Sequence, residues 1–171
     1  MELLCVSGSA SCSSSNVLLL EAISHQFSSR FSFDVYKEIR ELPLFRPEDL
    51  EKKLPENIVA FKRRIKNCDA VIISTPEYSH NIPAVLKSAF EWITASGELA
   101  NKPVLAITFT PHEPRGEWAM KSLLFTLKTL DAKIVTQLPL YKTDVEISNE
   151  KINLKGEVEA VISEALKLLE K

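Results

Sequence analysis

The sequence predicts an α/β protein: a doubly wound, five-stranded parallel sheet with helices on both faces, in three α/β/α layers. Three observations lead there. Short apolar runs alternate with longer segments of helical period, the pattern of repeated βαβ units. The run Ala70-Val71-Ile72-Ile73-Ser74 is apolar nearly throughout and β-branched at its centre, as strands covered on both faces are. The 171 residues suit one domain, expected over 1–171, and no linker, repeat or low-complexity tail interrupts them.

The elements follow in order. Glu2–Val6 reads as a buried strand and runs into a serine-rich turn. From about Ser14 to Phe27, the residues Val17, Leu18, Leu20, Ala22, Ile23 and Phe27 share one helix face. Ser32–Tyr36 alternates as a strand does, and Pro43 and Pro47 bracket a loop around Leu44-Phe45. Pro55 and Glu56 open a helix to Lys66, with Ile58, Val59, Phe61 and Ile65 as apolar positions. After Ala70–Ser74, Pro83 suits a first helical turn, and Val85, Ala89, Trp92 and Ile93 repeat at helical spacing. Val104–Ile107 is a fourth strand, Glu117 to Leu130 a helix, and Lys133–Val135 a fifth strand. An irregular segment precedes a last amphipathic helix carrying Val158, Val161, Ile162, Ala165 and Leu169.

Composition narrows the function. The chain is 45% hydrophobic and 26% charged, enough to build a core and keep a polar surface. Its net charge of −2 supplies no broad basic field for a nucleic acid or an anionic membrane. Cys5, Cys12 and Cys68 show no CxxC spacing and no nearby paired histidines, which argues against zinc and fits a reducing compartment. The N-terminus carries no basic leader, and no run approaches the ~20 apolar residues of a membrane helix. A cytoplasmic protein is expected.

Open parallel sheets bind ligands beyond the carboxyl ends of their strands. Three loops leave those ends: Ser7–Asn16, Thr75–Ile82 and Phe109–Gly116. Hydroxyls and free backbone NH groups at a helix start suit an anion, so the first loop reads either as a phosphate site or as an ordinary serine-rich turn. It contains neither GxGxxG nor GxxxxGK[ST], which disfavours a dinucleotide fingerprint and a Walker site. A tyrosine-phosphatase nucleophile would need Cys-x5-Arg. Counting from Cys5 reaches Ser11, and counting from Cys12 reaches Leu18, so that reading fails.

The second loop is the most specific. It reads Thr75-Pro76-Glu77-Tyr78-Ser79-His80-Asn81-Ile82-Pro83, and Leu86, Lys87, Ala89 and Trp92 follow on the helix. It resembles the Pro-Glu-Tyr-Asn loop and Pro-x-x-Leu-Lys-Asn-Ala helix of the NAD(P)H-dependent FMN reductases, relatives of quinone, azo-dye and chromate reductases. Ser79 and Ser88 stand where that family has asparagine. The first loop is similar to the family's Gly-Ser-x-Arg-x-x-Ser-x-Asn at Gly8, Ser9, Ser14 and Asn16, with Ser11 in place of the arginine. Thr110, Pro111 and Gly116 are compatible with its third loop, and His112 stands where glycine is common.

The resemblance implies a flavodoxin-like fold, FMN as cofactor and NAD(P)H as co-substrate. It implies Ser9, Ser11, Ser14, Ser15 and Asn16 around the FMN phosphate or ribityl chain, and Pro76, Glu77, Tyr78 and Ser79 along the ring. Thr110 and His112 would close the flavin's other side. His80 and His112 are read as surface imidazoles, and Trp92, Phe90 and Val85 as helix packing. No catalytic side chain or metal is expected, because the flavin carries the hydride chemistry. The implied activity is hydride transfer from NAD(P)H through FMN to a quinone, azo compound, metal oxyanion or free flavin. The alternative is a non-enzymatic FMN-binding electron carrier of flavodoxin type. Relatives are usually dimers or tetramers, so a homo-oligomer is expected, with Leu44-Phe45 and Trp118 as candidate anchors. Ser11 in place of arginine predicts FMN that binds reversibly.

Overall fold

The computed structural model describes residues 1–170. Strands β1 (Glu2–Ser7), β2 (Ser32–Tyr36), β3 (Ala70–Thr75), β4 (Pro103–Thr110) and β5 (Lys133–Tyr141) form one parallel sheet in the order β2-β1-β3-β4-β5. That is the flavodoxin-like order, whose switch point lies between β1 and β3. Helices α1 (Ser15–Gln26), α2 (Glu56–Asn67), α3 (Ala84–Thr94), α4 (Glu117–Thr129) and α5 (Gly156–Leu168) complete the outer layers.

Side-chain alternation along the strands sorts the core into two halves. Leu3, Cys5, Ala70, Ile72, Leu105 and Ile107 face Leu19, Leu20 and Ile23 of α1 and Ile162, Ala165 and Leu166 of α5. Leu4, Val6, Val71, Ile73, Val104 and Ala106 face α2, α3 and α4 through Phe61, Ile65, Leu86, Ile93, Leu123 and Leu127. Both faces of β3 are therefore covered, which is why its sequence shows no polar alternation.

Two regions differ from the expectation. β5 runs to Tyr141 rather than stopping at Val135. The pairing of β4 with β5 shifts between Val104 and Leu105, whose partners are Ile134 and Thr136, so Val135 is skipped. β5 is an edge strand, so beyond this bulge Thr136, Gln137 and Pro139 are tolerated and the apolar pattern is lost. The expected irregular segment contains a hairpin, with β6 (Glu146–Ser148) antiparallel to β7 (Lys151–Asn153). Its turn places Asn149 and Glu150 at φ of 49° and 56°, the pattern of a two-residue primed turn, without the usual glycine. Ile152 and Leu154 bury against the α1 side of the core. Among the described residues, no helix is long and apolar enough to cross a membrane.

Candidate functional site

The first loop leaves β1 flush against β3. Gly8 N donates to Ser74 O at 2.8 Å, extending the strand pairing by one residue. A Cβ at Gly8 would lie 2.6 Å from Thr75 Oγ1 and 2.8 Å from Leu86 Cδ2, so only glycine fits this approach. The loop then folds on its own hydroxyls: Ser7 Oγ accepts from Ser9 N, and Ser9 Oγ from Ser11 N, both at 3.3 Å. Ser14 caps α1, its Oγ accepting from Val17 N at 3.4 Å. The amides of Ser13, Ser14, Ser15 and Asn16 have no acceptor among the described residues. They are the orphan donors of a helix start.

Asn16 is 2% exposed and is spent on structure. Its Oδ1 accepts from Ser74 Oγ at 2.7 Å, and its Nδ2 donates to Phe109 O at 3.3 Å. One amide thus ties the first loop to the ends of β3 and β4.

The second loop turns tightly. Tyr78 and Asn81 exchange N–H···O bonds of 2.9 Å each way, and Ser79 and His80 between them have φ of 49° and 56°. Both central residues are left-handed, which explains the asparagine that the family motif carries at Ser79's place. Glu77 does not point into solvent. Its Oε2 accepts from Trp118 N and Ala119 N, both at 3.0 Å, and its Oε1 lies 3.5 Å from His80 Nδ1. The residue before α4 is Gly116, with φ of 104° and no side chain to cap the helix, so the cap comes from across the site.

These segments enclose a cavity of about 320 Å³ at the carboxyl ends of the strands. Ser9, Ser11, Ser14, Ser15 and Asn16 line it together with Pro76, Glu77 and Tyr78, so eight of the residues singled out in the sequence meet there. Three lie outside the lining. Ser79 sits at the tip of its turn because the primed turn lifts it from the wall. Thr110 is buried beneath its own loop, where Oγ1 donates to Arg115 O at 2.8 Å. His112 is exposed and its Nδ1 meets Glu113 O at 2.9 Å. Ser13, whose hydroxyl the sequence offers to the phosphate beside Ser9, Ser14 and Ser15, lines the cavity too; Phe109, Pro111, Arg115 and Lys142 also line it although sequence reasoning did not select them as ligand residues. Pro111 stood in a loop already singled out. Lys142 follows the unrecognised half of β5, and nothing in the sequence marked it.

Electrostatically the cavity favours an anion. Its one lining carboxylate, Glu77, is turned onto the α4 amides, whereas Arg115 and Lys142 form no ion pair among the described residues. Tyr141, next to Lys142, has its pKa raised by burial and by Glu113, Asp144 and Glu117, so its hydroxyl stays protonated. A larger groove of about 820 Å³ lies between α1, from Leu18 onward, and the hairpin; none of the three loops contributes to it.

A doubly wound sheet with an anion-accepting, partly apolar cavity at its carboxyl edge is the architecture of a mononucleotide-binding protein. Residues 1–142 match the model of the NADPH-dependent FMN reductases, and the chain belongs to that family. It is 41% identical over 108 residues to the NADH:(hydroxy)cinnamate reductase subunit CrdA of Vibrio ruber, covering 63% of this chain and 52% of that protein. It is 40% identical over 87 residues to a 2-hydroxy-1,4-benzoquinone reductase of a Burkholderia species, covering 51% of this chain and 46% of that protein. The chain thus spans about half the length of the curated relatives it matches. Among solved structures, the flavoenzyme NAD(P)H:(acceptor) oxidoreductase FerB of Paracoccus denitrificans superposes with a TM-score of 0.80 at 19% identity. That match covers 99% of this chain and 95% of FerB, and shows a shared fold.

Proposed function

We propose that the protein is an NAD(P)H-dependent oxidoreductase that holds FMN in the cavity at the carboxyl ends of β1, β3 and β4. One observation carries the reading: the serine loop and the Pro76-Glu77-Tyr78 loop, each matching the family motif separately, line one cavity. The residues present fit the cofactor. Four amides without acceptors and the hydroxyls of Ser11, Ser13 and Ser15 suit a phosphate. Pro76, Tyr78, Phe109 and Pro111 supply apolar wall for a planar ring.

Bound in this cavity, FMN would supply the redox chemistry, that of a hydride acceptor and electron donor between NAD(P)H and a second substrate. The chain's own part is positional. Asn16 and Gly8 hold the phosphate loop against β3, and Glu77 fastens the ring-side loop to α4. Tyr78, exposed at the rim, covers one edge and leaves the cavity open to a visiting substrate. The family likeness supports a small acceptor: a quinone, an azo compound, a metal oxyanion or free flavin. We read residues 1–171 as one such unit, working in the cytoplasm as a homodimer or homotetramer.

Titration of the purified protein with FMN, followed by anaerobic NADPH, tests the reading. Saturable binding near one equivalent, bleaching by NADPH and turnover on a quinone are expected. Reduction only by another flavoprotein would make it a carrier, and absence of saturable binding would remove FMN altogether.

A further inference from the structure

The family motif places an arginine where this chain has Ser11, so the serine loop itself carries no cation. Two cations nevertheless line the same cavity, and both come from other loops. Arg115 lies in the loop after β4, and Lys142 follows β5. The backbone of Arg115 is pinned on both sides: its N donates to His112 O at 3.0 Å, and its O accepts from Thr110 Oγ1 at 2.8 Å. Its guanidinium has no hydrogen-bond or ion-pair partner among the described residues, and neither has the Lys142 ammonium. Asp144, the acidic group nearest to Lys142 in the chain, is occupied by Tyr141 N and Thr143 Oγ1. Glu77 is occupied by the α4 amides.

We propose that Arg115 and Lys142 are the phosphate-recognising cations of this protein, replacing from the β4 and β5 loops the charge that the first loop lacks at Ser11. The proposal rests on the FMN reading above and deepens it. A guanidinium offers a phosphate paired, charge-assisted bonds and an ammonium a point charge, neither of which a serine hydroxyl can match. The rival cation is Arg40, whose guanidinium reaches Cys12 Sγ, one residue past Ser11. Arg40 does not line the cavity.

Flavin-fluorescence titrations of the flavin-free protein with FMN and with riboflavin, which lacks the phosphate, separate these readings. Wild-type protein should prefer FMN, and inorganic phosphate should compete with FMN while leaving riboflavin binding unchanged. Arg115→Gln and Lys142→Gln should each weaken FMN by roughly three- to tenfold, with riboflavin affinity unaltered, since one charge-assisted contact is worth up to about tenfold in affinity. The double variant should lose most of the preference for FMN, keeping only the part that the first loop's amides and hydroxyls supply, and raised salt should matter less to it than to wild type. Equal losses for both flavins would overturn the proposal, as would selective loss in Arg40→Gln with Arg115→Gln and Lys142→Gln unchanged. Wild-type protein that binds both flavins equally would also overturn it, while leaving the FMN site standing. Saturable binding of neither flavin would bring down the FMN reading itself.

Discussion

Glu77 joins the ring-side loop to α4 through one carboxylate. Its Oε2 takes the Trp118 and Ala119 amides, so a residue of the ring-side loop acts as the helix cap that Gly116 cannot provide. Loss of an N-cap costs about 0.5–2 kcal/mol. Glu77→Ala should therefore lower the unfolding free energy measured by urea titration by an amount in that range and speed hydrogen exchange at the first α4 amides. Unchanged exchange there would show that the cap is not formed in solution. The three cysteines make a second residue-scale contrast. Cys5 and Cys68 are buried, and burial pushes both thiols up, Cys5 strongly, whereas Cys12 stands exposed on the first loop. A thiol reagent at neutral pH should label one cysteine per native chain and all three in denaturant. Rapid labelling of three in the native state would mean that the sheet opens far more readily than its packing implies.

At the scale of elements, the approach of the first loop to β3 is the tightest joint in the site. Gly8→Ala would press a methyl group to 2.6 Å from Thr75 Oγ1 and 2.8 Å from Leu86 Cδ2. Overpacking of this kind costs about 1–3 kcal/mol, so the variant should lose that much stability and weaken FMN as the loop moves away. Stability and binding that both match wild type would show that the joint yields easily. The same joint shows what the sequence makes legible. β3 was readable because both its faces are apolar, and the two motif loops were readable because their residues are contiguous. The second half of β5 was not, since an edge strand with a bulge keeps no strict period and Pro139 reads as a breaker. The hairpin was missed because Asn149-Glu150 lacks the glycine that usually marks its turn. Arg115 and Lys142 were missed for a different reason: they meet the serine loop only in the folded chain, where the loops after β1, β4 and β5 line one cavity across the end of β3. Glu77 was read as a ring-side residue, and its capping of α4 has no local signal, because its partners are 41 and 42 positions away.

For the whole molecule, the open question of assembly turns on which apolar side chains the fold leaves uncovered. Phe45 is not one of them: its ring packs edge-on against Trp92 at 5.2 Å, and its amide donates to Ser88 Oγ at 2.9 Å. Leu44 remains 67% exposed beside it, an isolated side chain of the kind any surface carries. On α4, by contrast, Trp118 and Phe125 are 52% and 70% exposed and lie two turns apart on one face. Lys121 lies between them with its ammonium 4.5 Å from the Trp118 ring centroid. Phe125 also borders a shallow groove of about 210 Å³ between α3 and α4, whose α3 side is Lys87, Phe90, Glu91 and Thr94. Exposed aromatics are the side chains that interfaces favour. The net charge of −2 opposes a second copy only weakly. Sedimentation equilibrium should therefore give a multiple of 19.2 kDa for wild-type protein, and Phe125→Glu should shift it toward the monomer with its circular dichroism unchanged. Leu44→Glu should leave the assembly intact; dissociation by that variant alone would move the interface to the Pro43–Pro47 loop. A wild-type protein that stays at 19.2 kDa at working concentrations would refute assembly outright. Because Trp118 N is one of the two donors to Glu77, dissociation by Phe125→Glu should also loosen the ring-side loop and weaken FMN. A monomeric Phe125→Glu that binds FMN as wild type does would show that each chain forms its site alone.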